Sequence, residues 1–479
     1  MFKTILKRIF LVLFFMFLAE TQAIFAEEQN GKQEVSQKPT YTILVSEETK
    51  TDAQWGKVVT ALEAKHAEKY DVSVITWNPQ KPAEILEELR KSTHRYVCFV
   101  AKPTEAGARF VMITHVLMRS LDDDPYTDAF WAILTGHEAA DALRIIATPD
   151  TPVCSVVAGT DVAFDLFESG VGYDEGAKNL KRTKIPGEKV IISHDAPDDT
   201  THAIADALNS ADLFVTSGHA TEGDWQIGYS YRNGQFLAKD GQLFGKTTDG
   251  EIFPIQSQRP KSHLASGNCL IGHIKTDGCM APSLVHSAGV NMLVGYVVPT
   301  WFGYMGWGVQ DYFIEQPGRF TLCEAFFANN QALVHRLLNA DTLKLGEMDK
   351  QGLKFDMNVV AIYGDPAWQN ALVEKPSGWE QKLTSSMETD ENGAEKTVWT
   401  LEITPLRGEK TFDLLCSNGS QRGGRPIIAF LPYIPTAHEL PPATILEGEE
   451  YQPVVTENFI LVPISGMSKT EKTLIRFHY

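Results

Sequence analysis

His219 and Cys269 are two side chains whose types and spacing suit nucleophilic chemistry. Each follows a short apolar run: Ala211 to Gly218 leads to the histidine, and Leu264 to Asn268 leads to the cysteine. Open α/β sheets present reactive groups just beyond the carboxyl ends of their strands. A thiol becomes a strong nucleophile once deprotonated. A neighbouring imidazole stabilises the thiolate and later returns a proton to the leaving group. Gly272 lets the chain turn sharply behind the cysteine. Backbone N–H groups at such a turn can hold an oxyanion. On spacing alone, a histidine and a cysteine are more often structural than catalytic. A disulfide between Cys269 and Cys279 is a competing reading, since it would consume the nucleophile.

Other chemistries find less support. No His-Glu-x-x-His or paired Cys-x-x-Cys is present, so no metal site is expected for catalysis. No Gly-x-Ser-x-Gly elbow, Walker loop or dinucleotide fingerprint occurs, and no cofactor is required. The acidic stretch Asp122–Asp128 offers carboxylates to a structural calcium. Its spacing is not that of a calcium hand, and a solvated turn is the stronger reading. His137 also follows an apolar run, but the residues after it read as a helix start.

The elements that must hold these residues alternate strand and helix from Tyr41 onward. Runs at Tyr41–Val45, Val72–Thr76 and Tyr96–Val100 are separated by helical patterns at Gln54–Lys69 and Pro82–Lys91. This predicts βαβ units and a mostly parallel sheet. Two subdomains are expected, at 41–188 and 189–379. The second contains the strands before His219 and Cys269, a long excursion from Trp225 to Pro260, and a strand at Val290–Val298. After about residue 380 helical periodicity stops. Short β-rich runs at Thr397–Ile403, Thr411–Leu415, Ile427–Leu431, Phe459–Pro463 and Thr473–His478 predict a β-sandwich over 380–479.

The first residues read differently. Lys3, Lys7 and Arg8 precede an apolar run from Ile9 to Leu18, and small residues follow. That predicts a secretory signal peptide over 1–26 and a polar linker over 27–40. No later segment is apolar enough to cross a bilayer, so no integral membrane segment is expected after cleavage. The formal charge of −18 disfavours nucleic acid as a partner.

At these residues the chain resembles the gingipain family of cysteine peptidases. Ser217-Gly218-His219 resembles that family's histidine motif, and Cys269 to Gly272 its nucleophile turn. Asn291 to Trp301 resembles the next strand and substrate loop, and Gly364-Asp365-Pro366 the turn closing the catalytic domain. The resemblance implies a caspase-like α/β catalytic domain in two subdomains followed by an immunoglobulin-like sandwich. It implies a secreted or periplasmic endopeptidase of the bacterial cell envelope, with protein or peptide as substrate. Cys269 would be nucleophile, His219 acid and base, and Asp161 the carboxylate that orients the histidine. The N–H groups of Ala220 and Cys269 would form the oxyanion hole. Trp301, Phe302 and Tyr304 would line the substrate pocket. Two departures stand out: Ala220 replaces the usual glycine after the histidine, and Asn268 replaces a small residue before the cysteine. They keep a second reading open, a catalytically inactive binding protein on the same fold.

Overall fold

Twelve strands join in one sheet that runs in two directions. The structure is a computed structural model, and it describes residues 38–389 and 393–479. The expected leader, and most of the expected linker, lie outside these residues.

The first half of the sheet contains Thr40–Ser46, Asp71–Trp77, Tyr96–Val100 and Phe130–Leu134, paired in parallel. Helices Trp55–His66 and Ala108–Leu117 make the crossovers. The strands at Tyr96–Val100 and Phe130–Leu134 are wholly buried, which explains their continuous apolar sequences. Val360–Tyr363 joins this half in parallel through Tyr363 and Ile133.

The second half contains Val290–Tyr296, Lys261–Ala265, Leu213–Thr216, Ser155–Ala158 and Ser169–Tyr173, again paired in parallel. Its edge is formed by Lys181–Lys184 and Ile191–Ser193. The two halves meet where Val360–Tyr363 runs antiparallel to Val290–Tyr296. Their carboxyl ends therefore face opposite edges of the sheet. The seam does not follow the expected division at residue 188. Strands at 155–184 belong with His219 and Cys269, and Val360–Tyr363 belongs with the opening strands.

The Trp225–Pro260 excursion is a small antiparallel sheet of four strands: Asp224–Gln226, Gln235–Lys239, Gln242–Lys246 and Ile252–Ile255. Trp225 anchors it by donating its indole N–H to the Ser217 carbonyl at 2.8 Å.

The C-terminal region forms two antiparallel sheets. One contains Trp379–Thr389, Glu395–Pro405, Thr473–His478 and Thr444–Glu447; the other contains Ile427–Phe430, Phe459–Val462 and Val454–Val455. Leu401, Ile403, Ile427, Ile460 and Phe477 from both sheets share one apolar cluster, as in a β-sandwich. The expected strand at Thr411–Leu415 is absent. Its end is captured by Glu315 of the α/β region, whose carboxylate accepts from the Leu415 N–H at 2.8 Å and the Cys416 N–H at 3.1 Å. Among the described residues, no helix is long and apolar enough to cross a membrane.

Candidate active site

Adjacent parallel strands bring His219 and Cys269 to one edge. Thr216 pairs with Ala265, so the chain reaches His219 three residues past one strand and Cys269 four past its neighbour. Asn268 ties the two loops together. It is fully buried, and its Nδ2 donates to the Gly218 carbonyl at 3.1 Å. Its Oδ1 accepts from the Thr216 hydroxyl at 2.6 Å. That hydroxyl has one proton, so it must accept from His263 Nε2, 2.9 Å away. Burial depresses the His263 pKa to about 3, which keeps the ring neutral and the chain of donors fixed. Asn268 thus holds the site from beneath.

The nucleophile turn is backbone-driven. Leu270 takes the left-handed conformation, φ 59°, directly after Cys269. Such a conformation is uncommon for a residue with a branched side chain and needs support from its surroundings. Support comes from the Leu270 N–H to the Val298 carbonyl, 3.2 Å, and the Gly272 N–H to the Tyr296 carbonyl, 2.9 Å. Gly272 does not make the sharp turn; it permits close approach. A Cβ there would lie 2.3 Å from the Gly295 carbonyl oxygen. Gly218, before the histidine, has φ 90° and does need glycine's freedom.

The Cys269 sulfur accepts from the Thr300 N–H at 3.2 Å. Thr300 Oγ1 also donates to the Asn268 carbonyl at 3.1 Å. All six cysteines are free, so the Cys269–Cys279 disulfide is absent. The N–H groups of Ala220 and Cys269 have no acceptor among the described residues. Both remain available to an oxyanion.

His219 is exposed, and its ring packs on Tyr229 with centroids 4.8 Å apart. Asp161 does not reach it. That carboxylate pairs with Arg182 at 3.0 Å, because the residues after Ser155–Ala158 turn toward the sheet edge where Arg182 lies. The carboxylate behind the histidine loop is Glu175. Its Oε2 accepts from the Ser217 hydroxyl and its Oε1 from the Thr160 hydroxyl, the latter at 2.9 Å. Its backbone carbonyl accepts from the Tyr229 N–H at 2.6 Å. Burial pushes the Glu175 pKa up to about 7, against the hydrogen bonds from Thr160 and Asn418. Glu175 follows the strand Ser169–Tyr173, and a carboxylate just past a strand end was the available signal in the sequence.

The aromatic loop divides. Trp301 is 53% exposed and packs edge-on against Phe355. Phe302 and Tyr304 are buried and present little surface to a ligand. The Phe302 ring fills the space left by Gly352, and Tyr304 lies under Arg425, whose guanidinium carbon is 3.5 Å from the ring centroid.

Asp122 and Asp124 from the acidic loop meet Glu457 of the C-terminal region, with one oxygen of each within 4.8 Å of the others. Burial and mutual repulsion raise Asp124 to about 6 and Glu457 to about 8.

In comparisons with known proteins, no family model, no curated protein and no solved structure matches this chain.

Proposed function

We propose that the protein is a cysteine endopeptidase on a caspase-like scaffold, working outside the cytoplasm on protein or peptide substrates. Cys269 attacks the scissile carbonyl as thiolate, with Thr300 N–H on its sulfur. His219 protonates the leaving amine, and the thioacyl enzyme forms as the C–N bond breaks. Water, deprotonated by His219, then hydrolyses the thioester and frees the thiol. The N–H groups of Ala220 and Cys269 hold the oxyanion in both steps. Glu175, in place of Asp161, supports the histidine loop, and Trp301 offers the exposed aromatic wall for substrate.

The observation that carries this reading is the Asn268 bridge to Gly218 and Thr216. It ties the histidine and cysteine loops together, and the N–H groups of Ala220 and Cys269 stay without an acceptor among the described residues. The deciding experiment is labelling of the purified protein with a peptidyl acyloxymethyl ketone. Selective modification of Cys269, lost in Cys269→Ala and blocked by iodoacetamide, supports the enzyme.

One observation favours a binding protein instead. The Cys269 sulfur engages Thr300, and no hydrogen bond joins it to His219. On that reading exposed Trp301 is the centre of a ligand surface. Silence of Cys269 across acyl probes of differing side chain, with peptide binding retained, selects it.

A further inference from the structure

One loop of the C-terminal β region reaches the residues behind the histidine loop. We propose that this loop, Cys416–Arg425, is a working part of the site, and that Asn418 is a positioning residue acting through Glu175 on His219. The inference rests on the cysteine-hydrolase reading given above.

The loop touches the histidine side first. Asn418 Nδ2 donates to Thr160 Oγ1 at 2.6 Å, and Thr160 donates in turn to Glu175 Oε1 at 2.9 Å. Glu175 then holds Ser217, two residues before His219, through its carboxylate, and Tyr229, on which the imidazole packs, through its backbone carbonyl. A Cβ on Gly218 would lie 3.5 Å from Glu175 Oε2, so the carboxylate sits directly behind the residue before His219.

The same loop presses on the nucleophile side. Gly419, at φ 103°, lies flat on Trp307; a Cβ there would be 2.2 Å from the indole. The other edge of that indole meets Gly267, whose added Cβ would be 2.7 Å from it. Gly267 is two residues before Cys269. Arg422 adds a polar route: it donates to Gln310 at 3.2 Å, and Gln310 donates to Ser266 at 2.5 Å.

The loop is held firmly enough to transmit this. Arg422 and Arg425 grip the two oxygens of buried Asp311 at 2.5 and 3.0 Å, and Arg422 returns a bond to the Asn418 carbonyl at 2.7 Å. The backbone between the anchor and Asn418 is therefore fixed.

An ionised Glu175 accepts from the Ser217 hydroxyl and so holds the backbone that leads into His219. The charged groups facing Glu175 are Asp174, which raises its pKa, and the Arg182–Asp161 pair beyond Asp174; the Tyr231 hydroxyl also faces it. The amide of Asn418 acts in the opposite sense to Asp174 and favours the charged carboxylate. Loss of that amide leaves Glu175 protonated to higher pH.

The test is the rate of Cys269 alkylation by iodoacetamide against pH, read by mass spectrometry on full-length protein. Asn418→Ala is expected to move the acid limb upward by about half a pH unit and to slow alkylation near pH 6.5 by about threefold. Thr160→Val, which cuts the same link from the other side and leaves the loop's own residues unchanged, is expected to move it the same way. His438→Ala loosens the β region at Thr93, where no hydrogen bond leads to this loop, and is expected to leave the limb where it was. A limb unmoved in both Asn418→Ala and Thr160→Val overturns the proposal and leaves the enzyme reading standing. A wild-type limb at the free-thiol value of about 8.5, with no acyl-probe labelling, overturns the enzyme reading and this one with it.

Discussion

Tyr363 donates its hydroxyl to the Gly272 carbonyl at 2.7 Å. The tyrosine belongs to the seam strand and the glycine to the nucleophile turn, so one half of the sheet fastens the reactive loop of the other. Tyr363→Phe leaves that buried carbonyl short of its closest donor and is expected to cost about 1–2 kcal/mol. Urea unfolding measures this as a lower midpoint with an unchanged slope.

Asn268 has a larger expected effect. Asn268→Leu keeps the branched shape but removes the acceptor of the Thr216 hydroxyl and the donor to the Gly218 carbonyl. The stability cost is expected at about 1–3 kcal/mol. Acyl-probe labelling of Cys269 is expected to fall by about tenfold or more, since a small misplacement of reacting groups is costly. Labelling at the wild-type rate would show that the two loops hold their places without the bridge.

Gly272→Ala tests the close approach of the turn to Val290–Tyr296. The added methyl meets backbone carbonyls on a central buried strand, which cannot move as a surface side chain would. A loss of about 1–3 kcal/mol is expected, typical of overpacking. A crystal structure or calorimetry of the variant would read it, and wild-type stability would mean that the turn lies farther from the strand.

The Asp122–Asp124–Glu457 cluster gives a pH dependence with a definite sign. Unfolded carboxyls titrate near about 4, whereas Asp124 and Glu457 in the fold are raised to about 6 and 8. The folded state binds more protons between those limits, so this cluster weakens the fold as pH rises from about 4 to 8. Glu457→Gln is expected to raise the melting temperature at pH 8 and to change it little at pH 4. Thermal melts in chelator across that range measure the difference, and equal shifts at both ends would count against the cluster.

The strand–helix alternation, the change to β texture after residue 380, and the strand ends before His219 and Cys269 are all legible along the chain, because each is local. What is not legible depends on neighbours distant in sequence. Glu175 stands 42 residues before Ser217 and reaches it only because the strands Ser169–Tyr173, Ser155–Ala158 and Leu213–Thr216 lie side by side. Asp161 follows a strand equally well, but Arg182 claims it. Phe302 and Tyr304 read as a surface loop until Gly352 and Arg425 supply the spaces that bury them. The Thr411–Leu415 run has strand-like residues, yet Glu315 of the other region takes the backbone donor of Leu415 and that of Cys416 just after it.

Val360–Tyr363 sits in the middle of the twelve-stranded sheet and is the last of its strands to be synthesised. A ribosome must add every helix and every other strand of the α/β region before this one emerges. Without it, Phe130–Leu134 and Val290–Tyr296 would each lack the strand that covers one edge. Pairing across so large a sequence separation is slow, and bare edges invite chaperones or aggregation. Truncations ending before residue 360 should therefore fail as soluble proteins even with Cys269 and His219 intact.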